Sequence, residues 1–152
     1  MPVRALWFER GALCLLDQRR LPGARIVRRL RRVEQVAEAI RGMTVRGAPS
    51  IGVSGAYGMA LAARQGGIRS DQAARLLLAT RPTAHDLSVG VGTVEEAWKR
   101  GEDPLAAADR YRETVVSECR EIGRQGASLF RRRPRVLTHC NAGALATVEW
   151  GT

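Results

Sequence analysis

The stretch "TVRGAPSIGVSGAYGMALAARQGG", Thr44 to Gly67, carries the clearest information about the fold. Pro49 suits the first turn of a helix, where a missing N–H group costs nothing. The helix that follows is rich in small residues: Gly52, Gly55, Ala56, Gly58 and Ala60. In an exposed helix each glycine would cost roughly 0.5–1 kcal/mol relative to alanine. We therefore predict a buried helix that a neighbour or a ligand approaches closely, and that ends at Gly66–Gly67.

Further helices and a β-hairpin are predicted around this buried helix. Residues 5–22 (ALWFERGALCLLDQRRLP) alternate apolar and polar residues around Arg10–Gly11, which is typical of a hairpin. Residues 25–32 (RIVRRLRR) fit a strand and a helical turn equally well. An apolar stripe in the last predicted helix indicates that Ile122 and Leu129 are buried. Helical spacing of apolar residues predicts helices near residues 33–43, 71–80 (with Ser70 as N-cap), 84–100 and 105–129.

From Pro134 onward the pattern changes to "RVLTHCNAGALATVEWGT". It indicates a short strand, a polar and glycine-containing turn and the beginning of a helix. Such a unit opens a parallel sheet, in which ligands bind beyond the carboxyl ends of the strands. We therefore predict an α/β protein with two parts. Residues 1–133 form an α+β domain of short antiparallel strands and helices, and residues 134–152 begin a second domain.

Composition limits the classes of function. The 152 residues carry a net charge of +10, and Lys99 is the single lysine among arginines. A basic surface favours an anionic partner, such as a nucleic acid, a phosphorylated metabolite or an acidic protein. Aromatic residues make up only 5% and no nucleic-acid-binding motif accompanies the arginine runs, so we expect no nucleic acid. We also expect no membrane span or signal peptide, and a cytoplasmic location.

Three positions are candidates for chemistry. Arg46, Gly47 and Ala48 precede or begin the buried helix, whose N-terminus with a guanidinium beside it would suit an anion. Arg81 lies on a rigid turn before a proline. Cys140 lies at the predicted strand end, where a neighbouring helix N-terminus can lower the pKa of a thiol. The alternatives are surface arginines and a small core residue. The spacing of cysteines and histidines predicts no metal site or disulfide.

Four stretches, taken together, resemble one family. They are "LLDQRRLP" (15–22), "MTVRGAPSIGVSGAYGMALA" (43–62), "RPTA" (81–84) and "LTHCNAGALAT" (137–147). In this order they are similar to methylthioribose-1-phosphate isomerases. That family also includes the alpha, beta and delta subunits of eukaryotic initiation factor 2B and archaeal ribose-1,5-bisphosphate isomerase. One departure is His85–Asp86, where the family commonly has Val-Asn.

The resemblance implies an activity and a site. The activity is conversion of the aldose 5-methylthioribose 1-phosphate into its ketose in methionine salvage, without a metal or an organic cofactor. The family's catalytic cysteine corresponds to Cys140, and its substrate contacts correspond to Arg46, Gly47, Ala48 and Arg81. The family's aspartate partner, in a Rossmann-like domain that also forms a homodimer, has no counterpart here. We therefore expect residues 1–152 to be a truncated form that is inactive alone.

Two alternative functions follow from the same resemblance. An isomerase of ribose 1,5-bisphosphate would use the same cysteine with room for a second phosphate. A non-enzymatic regulatory subunit, as in initiation factor 2B, would have no need of the polar residues in "RGAP" and "HCN". Product analysis with both substrates separates the two isomerases, and weak binding of phosphorylated sugars by the complete protein would favour the regulatory subunit.

Overall fold

A three-stranded antiparallel sheet begins the fold. The computed structural model describes residues 3–130 and 135–151. Strands β1 (Leu6–Glu9) and β2 (Ala12–Leu16) form the expected hairpin, and β3 (Val27–Leu30) pairs with β2 on its other side. All five residues of β2 are buried because it is the central strand. The undecided segment 25–32 therefore contains a strand, since β2 offers it a hydrogen-bonding edge.

Within the described residues, five α-helices follow the sheet, close to their predicted positions. The start of α5 is set by a local cap: the Asp103 side chain accepts a hydrogen bond from the N–H of Leu105, and Pro104 is the first helical residue. Ser70, predicted as an N-cap, is instead the first residue of its helix. The bounds are α1 Val33–Arg41, α2 Ala48–Gln65, α3 Ser70–Leu78, α4 His85–Lys99 and α5 Pro104–Gly126, followed by a 3-10 turn, Ala127–Leu129.

Helix α2 is the centre of the molecule and is buried from Ser50 to Ala62. Its small residues allow α4 to approach closely. A Cβ atom added to Gly90 would lie 2.2 Å from the carbonyl oxygen of Gly52, and one added to Gly52 would lie 2.6 Å from that of Asp86. The prediction of a close neighbour is therefore confirmed. Since Gly52 and Asp86 both lie near helix starts, the N-terminal ends of α2 and α4 lie together.

Two expectations for the C-terminal third are wrong. Cys119 on α5 is buried, but Ile122 is 54% exposed and Leu129 is 80% exposed. The last turns of α5 extend beyond the elements that cover its first half, so the apolar stripe there has no partner among the described residues.

The strand and helix start expected after Pro134 are likewise not formed in residues 135–151, which consist of turns and irregular backbone. A strand needs a neighbouring strand to bond with, and the described residues provide none at this place. The α+β architecture is confirmed, whereas the proposed domain boundary at 133–134 lies outside the described residues. None of the described helices combines the length and apolar character that a membrane span requires.

Candidate functional site

Two arginine-bearing loops lead into neighbouring helix starts. Arg46 and Gly47 directly precede α2, and Arg81 lies on the turn before α4, where its carbonyl accepts a hydrogen bond from the N–H of Ala84. The contact between Gly52 and α4 brings these two helix starts together. Both arginine side chains are exposed. Both cations are therefore exposed to solvent, on the loops that lead into two neighbouring helices.

Residues 144–150, which we call the docking segment, pack against the start of α2. Ser50 alone makes three hydrogen bonds to this segment. Its N–H donates to the carbonyl of Ala146 (3.0 Å), its hydroxyl donates to the carbonyl of Leu145 (3.2 Å), and the hydroxyl oxygen accepts from the N–H of Val148 (2.9 Å). The side chain of Gln18 donates to the same Leu145 carbonyl at 2.9 Å. The segment is thus held through its backbone.

Side chains fix the far end of the docking segment. Glu149, largely buried, pairs with Arg112 at 2.9 Å between Oε1 and Nη1. The guanidinium of Arg120 lies 4.8 Å from the ring centroid of Trp150, which is a cation–π distance. Val148 is fully buried between these anchors and Ser50, and its carbonyl accepts from the N–H of Ala5 at 2.8 Å. The segment therefore joins α2, α5 and the chain before β1.

Gly47 brings two of the sequence motifs into direct contact. Its φ of 97° lies in the region that favours glycine, and a Cβ atom there would lie 2.4 Å from the Cα of Ala146. The loop that carries Arg46 and the segment that follows Cys140 are therefore neighbours, although sequence reasoning placed them in separate domains.

The anion site predicted at the start of α2 has fewer free backbone N–H donors than expected. The N–H of Ser50 is bonded to Ala146, that of Ile51 is bonded to the carbonyl of Gly47, and Pro49 has none. Ala48 is the one residue of the first turn whose N–H has no partner in the described part of the chain. Any anion at this helix start would therefore meet few backbone donors beside the Arg46 guanidinium, rather than a full helical turn of them.

Cys140 lies on an exposed stretch just before the docking segment. The hydroxyl of Thr138 donates to its carbonyl at 3.2 Å. A cavity of about 370 Å³ lies on the N-terminal side of the docking segment, lined by Val3, Leu16, Leu21, Arg25 and residues 142–145. Its volume falls in the range of small-molecule sites. The catalytic role of Cys140 and the substrate contacts of residues 46–48 and 81 stay predictions.

Asp17 stabilises the backbone next to Gln18, which contacts the docking segment. Its carboxylate is fully buried and accepts hydrogen bonds from the guanidinium of Arg19, at 2.8 Å to each oxygen, and from Arg28 at 3.2 Å. The Arg19 bonds, more than those of Arg28, hold the pKa of this carboxyl well below its ordinary value, against the effect of burial. Because Gln18 is the next residue, this ion cluster fixes the backbone from which Gln18 reaches Leu145.

Sequence reasoning missed Gln18 and Ser50 as parts of the site. Both lie inside stretches that matched the family, but the bonds they make are not local. Ser50 and Val148 are 98 positions apart, and Gln18 and Leu145 are 127 apart. No periodicity or turn signal reports a contact at that separation.

Comparison with known proteins finds similarity to methylthioribose-1-phosphate isomerases and to an initiation factor subunit. Residues 44–149 match the model of the initiation factor 2 subunit family. The chain is 45% identical to the methylthioribose-1-phosphate isomerase of Methylobacterium nodulans, an alignment that covers 99% of this chain and 46% of the relative. It is 44% identical to the enzyme of the same name from Roseiflexus castenholzii, covering 98% and 48%.

Two solved structures share the fold. The 5-methylthioribose 1-phosphate isomerase from Pyrococcus horikoshii superposes with a TM-score of 0.87 at 32% identity, covering 100% of this chain and 47% of that one. The delta subunit of translation initiation factor eIF-2B from A. fulgidus superposes with a TM-score of 0.81 at 39% identity, covering 98% and 48%. The chain thus spans about half the length of the curated relatives it matches.

Proposed function

Because this chain belongs to the initiation factor 2 subunit family, we propose that it supplies part of the active site of an aldose–ketose isomerase. The substrate is 5-methylthioribose 1-phosphate and the product is 5-methylthioribulose 1-phosphate, a step of methionine salvage. The observation that carries this proposal is the contact of Gly47 with Ala146, which brings the Arg46 loop beside the segment that follows Cys140. The names of the relatives support the choice of substrate.

The chemistry explains why a thiol and arginines are needed. The anomeric hydroxyl of the substrate carries phosphate, so the sugar cannot open its ring as a free aldose does. Moving hydrogen from C2 to C1 then needs a proton donor at the ring oxygen and a shielded pocket. Cys140 supplies the acid–base group, opposite the aspartate that the resemblance places in a C-terminal domain of the full-length enzyme. Arg46 and Arg81 hold the phosphate or the sugar hydroxyls.

The electrostatics of the chain favour such a substrate. The net charge of +10 attracts anions in general. Arg46 and Arg81 are exposed on the loops that lead into the neighbouring helices α2 and α4, and Ala48 adds a backbone donor. We further propose a cytoplasmic protein that forms a homodimer at full length, as the resemblance implies.

The test is turnover of 5-methylthioribose 1-phosphate, monitored by NMR detection of the ketose product. Since the relatives are about twice as long, residues 1–152 are compared alone and fused to the C-terminal half of the Methylobacterium nodulans isomerase. We expect turnover in the fusion only. In the fusion, Cys140→Ser should lower kcat by ~10²–10⁴-fold, the usual worth of a general acid–base group. Cys14→Ser, in buried β2, is the control and should retain kcat.

Two results would contradict the proposal. One is a fusion protein that folds but has no turnover. The other is a Cys140→Ser variant with near-normal kcat. Ribose 1,5-bisphosphate is tested as a second substrate in the same assay, and faster turnover of it would reassign the substrate.

The likeness to an initiation factor subunit supports a second candidate function. In that case the protein would be a non-enzymatic subunit of a regulatory complex. Titration of the fusion protein with 5-methylthioribose 1-phosphate separates the two, because a purely regulatory subunit has no reason to bind the sugar. We favour the isomerase because the cysteine and the arginine motif are both retained.

A further inference from the structure

Ser50 is buried, and it makes three hydrogen bonds to the docking segment. It lies in the first turn of α2 and its side chain is fully buried. A hydroxyl has one proton to donate and lone pairs to accept, and here it donates to the Leu145 carbonyl while it accepts from the Val148 N–H. The backbone N–H of Ser50 adds the bond to Ala146. One residue therefore contacts three successive points along the segment.

We propose that Ser50 is a positioning residue for Cys140: its hydroxyl fixes the register of residues 145–148 against α2 and so holds the preceding thiol beside the Arg46 loop. The inference rests on the proposed function, since it gives Ser50 a part in that reaction. Ser50 does not touch the reacting atoms. It acts through the segment.

Removal of the hydroxyl would leave the segment poorly held. The N–H of Val148 is buried, and without the Ser50 oxygen it would have no acceptor, a situation that is costly because the group has also lost its water. The Leu145 carbonyl would keep its bond from Gln18. The Ala146 carbonyl would likewise keep its bond from the backbone N–H of Ser50, so the segment would loosen at Leu145 and Val148 rather than detach completely.

Ser54 provides a matched control. It is as fully buried as Ser50 and lies one turn further along the same helix. Its hydroxyl donates to the carbonyl of Ser50 at 2.7 Å, a bond within α2 that involves no residue of the docking segment. Ser54→Ala therefore removes the same atom from the same helix without affecting residues 144–150.

The first measurement is amide hydrogen exchange on the whole 152-residue chain. Ser50→Ala should accelerate exchange of the Val148 N–H about tenfold, the effect of one lost hydrogen bond, while Ser54→Ala leaves it at the wild-type rate. Ser50→Thr restores the hydroxyl and should recover most of the protection. If the Val148 N–H of Ser50→Ala exchanged at the wild-type rate, the proposal would be overturned. If that variant does not fold by circular dichroism, Ser50→Cys, similar in size and a weaker hydrogen-bonding group, decides the question by the same measure.

The second measurement is kinetic and uses the fusion protein. Ser50→Ala should lower kcat about tenfold with KM changed less than about twofold, because the thiol is displaced while the Arg46 loop stays on α2. Ser54→Ala should retain both constants. Equal changes in the two variants would overturn the positioning role. If no protein shows turnover, the proposed function fails, and the exchange experiment still decides whether Ser50 holds the segment.

Discussion

Gly90→Ala should destabilise the protein because the backbone of α2 occupies the space that the new methyl group needs. The added Cβ would lie 2.2 Å from the carbonyl oxygen of Gly52 and 2.8 Å from its carbonyl carbon. Ordinary C···O contacts are about 3.3 Å, so the two helices would have to separate by about 1 Å. Backbone atoms cannot rotate away as a side chain can. The separation also moves apart the loops that carry Arg46 and Arg81.

The magnitude follows from two opposing effects. Overpacking a close contact costs ~1–3 kcal/mol, and a clash with rigid backbone atoms lies at the upper end of that range, ~3 kcal/mol. The helix propensity of alanine over glycine returns about 1 kcal/mol. The free energy of unfolding should therefore fall by about 2 kcal/mol. Gly92→Ala, in the same helix, is the control: a Cβ there meets nothing within 4 Å, so this variant should gain about 1 kcal/mol from propensity alone.

Urea unfolding followed by circular dichroism at the helix band measures the difference. With a denaturant slope of about 2 kcal/mol/M, a difference of ~3 kcal/mol between the variants separates their midpoints by about 1.5 M. The slopes should agree, since both variants expose the same surface on unfolding. A Gly90→Ala protein as stable as Gly92→Ala would refute the close packing of α2 on α4, and with it the adjacency of the two arginine loops.

Two further predictions concern titration and thiol chemistry. The carboxyl of Asp17 has a folded pKa below its unfolded value, so it stabilises the protein fully above pH ~5 and this contribution is lost as the pH falls through the ordinary carboxyl range. Thermal midpoints of the wild type should therefore fall more steeply between pH 5 and 2 than those of Asp17→Asn; parallel profiles would contradict the buried ion cluster. In native protein Cys140 should react with Ellman's reagent, whereas Cys14 and Cys119 should react only in denaturant, because burial raises the pKa of both thiols and excludes the reagent. Rapid reaction of three thiols in the native state would refute this burial.

The elements that the sequence predicted are those with local causes. The hairpin depends on alternation and on the Arg10–Gly11 turn, where both residues have positive φ. Helix α2 was predicted from Pro49 at its start and from its small residues, because glycines are unfavourable in a helix unless a neighbour packs closely against them. Each of these signals lies within a few residues of the structure that it determines.

The remainder depends on contacts between distant residues. The segment 25–32 became a strand only because β2 offered an edge, as in the pairing of Leu16 with Val27. The apolar stripe of α5 predicted burial of Ile122, but periodicity identifies a face and not whether anything covers it. The importance of Ser50 depends on a partner 98 positions away. The motif residues of the candidate site were identified by resemblance, whereas the residues that hold them in place were found only from the coordinates.

The docking of residues 145–148 on Gln18 and Ser50 also has a consequence for biosynthesis. These contacts join positions 127 and 98 residues apart, and large loops close late because much chain entropy is lost before any bond forms. During translation the helices emerge and fold before Val148 leaves the ribosome. The docking segment therefore reaches its place only after the helices that receive it have been made, so a nascent polypeptide carries the helical scaffold before it carries the contact between the Arg46 loop and residues 145–148.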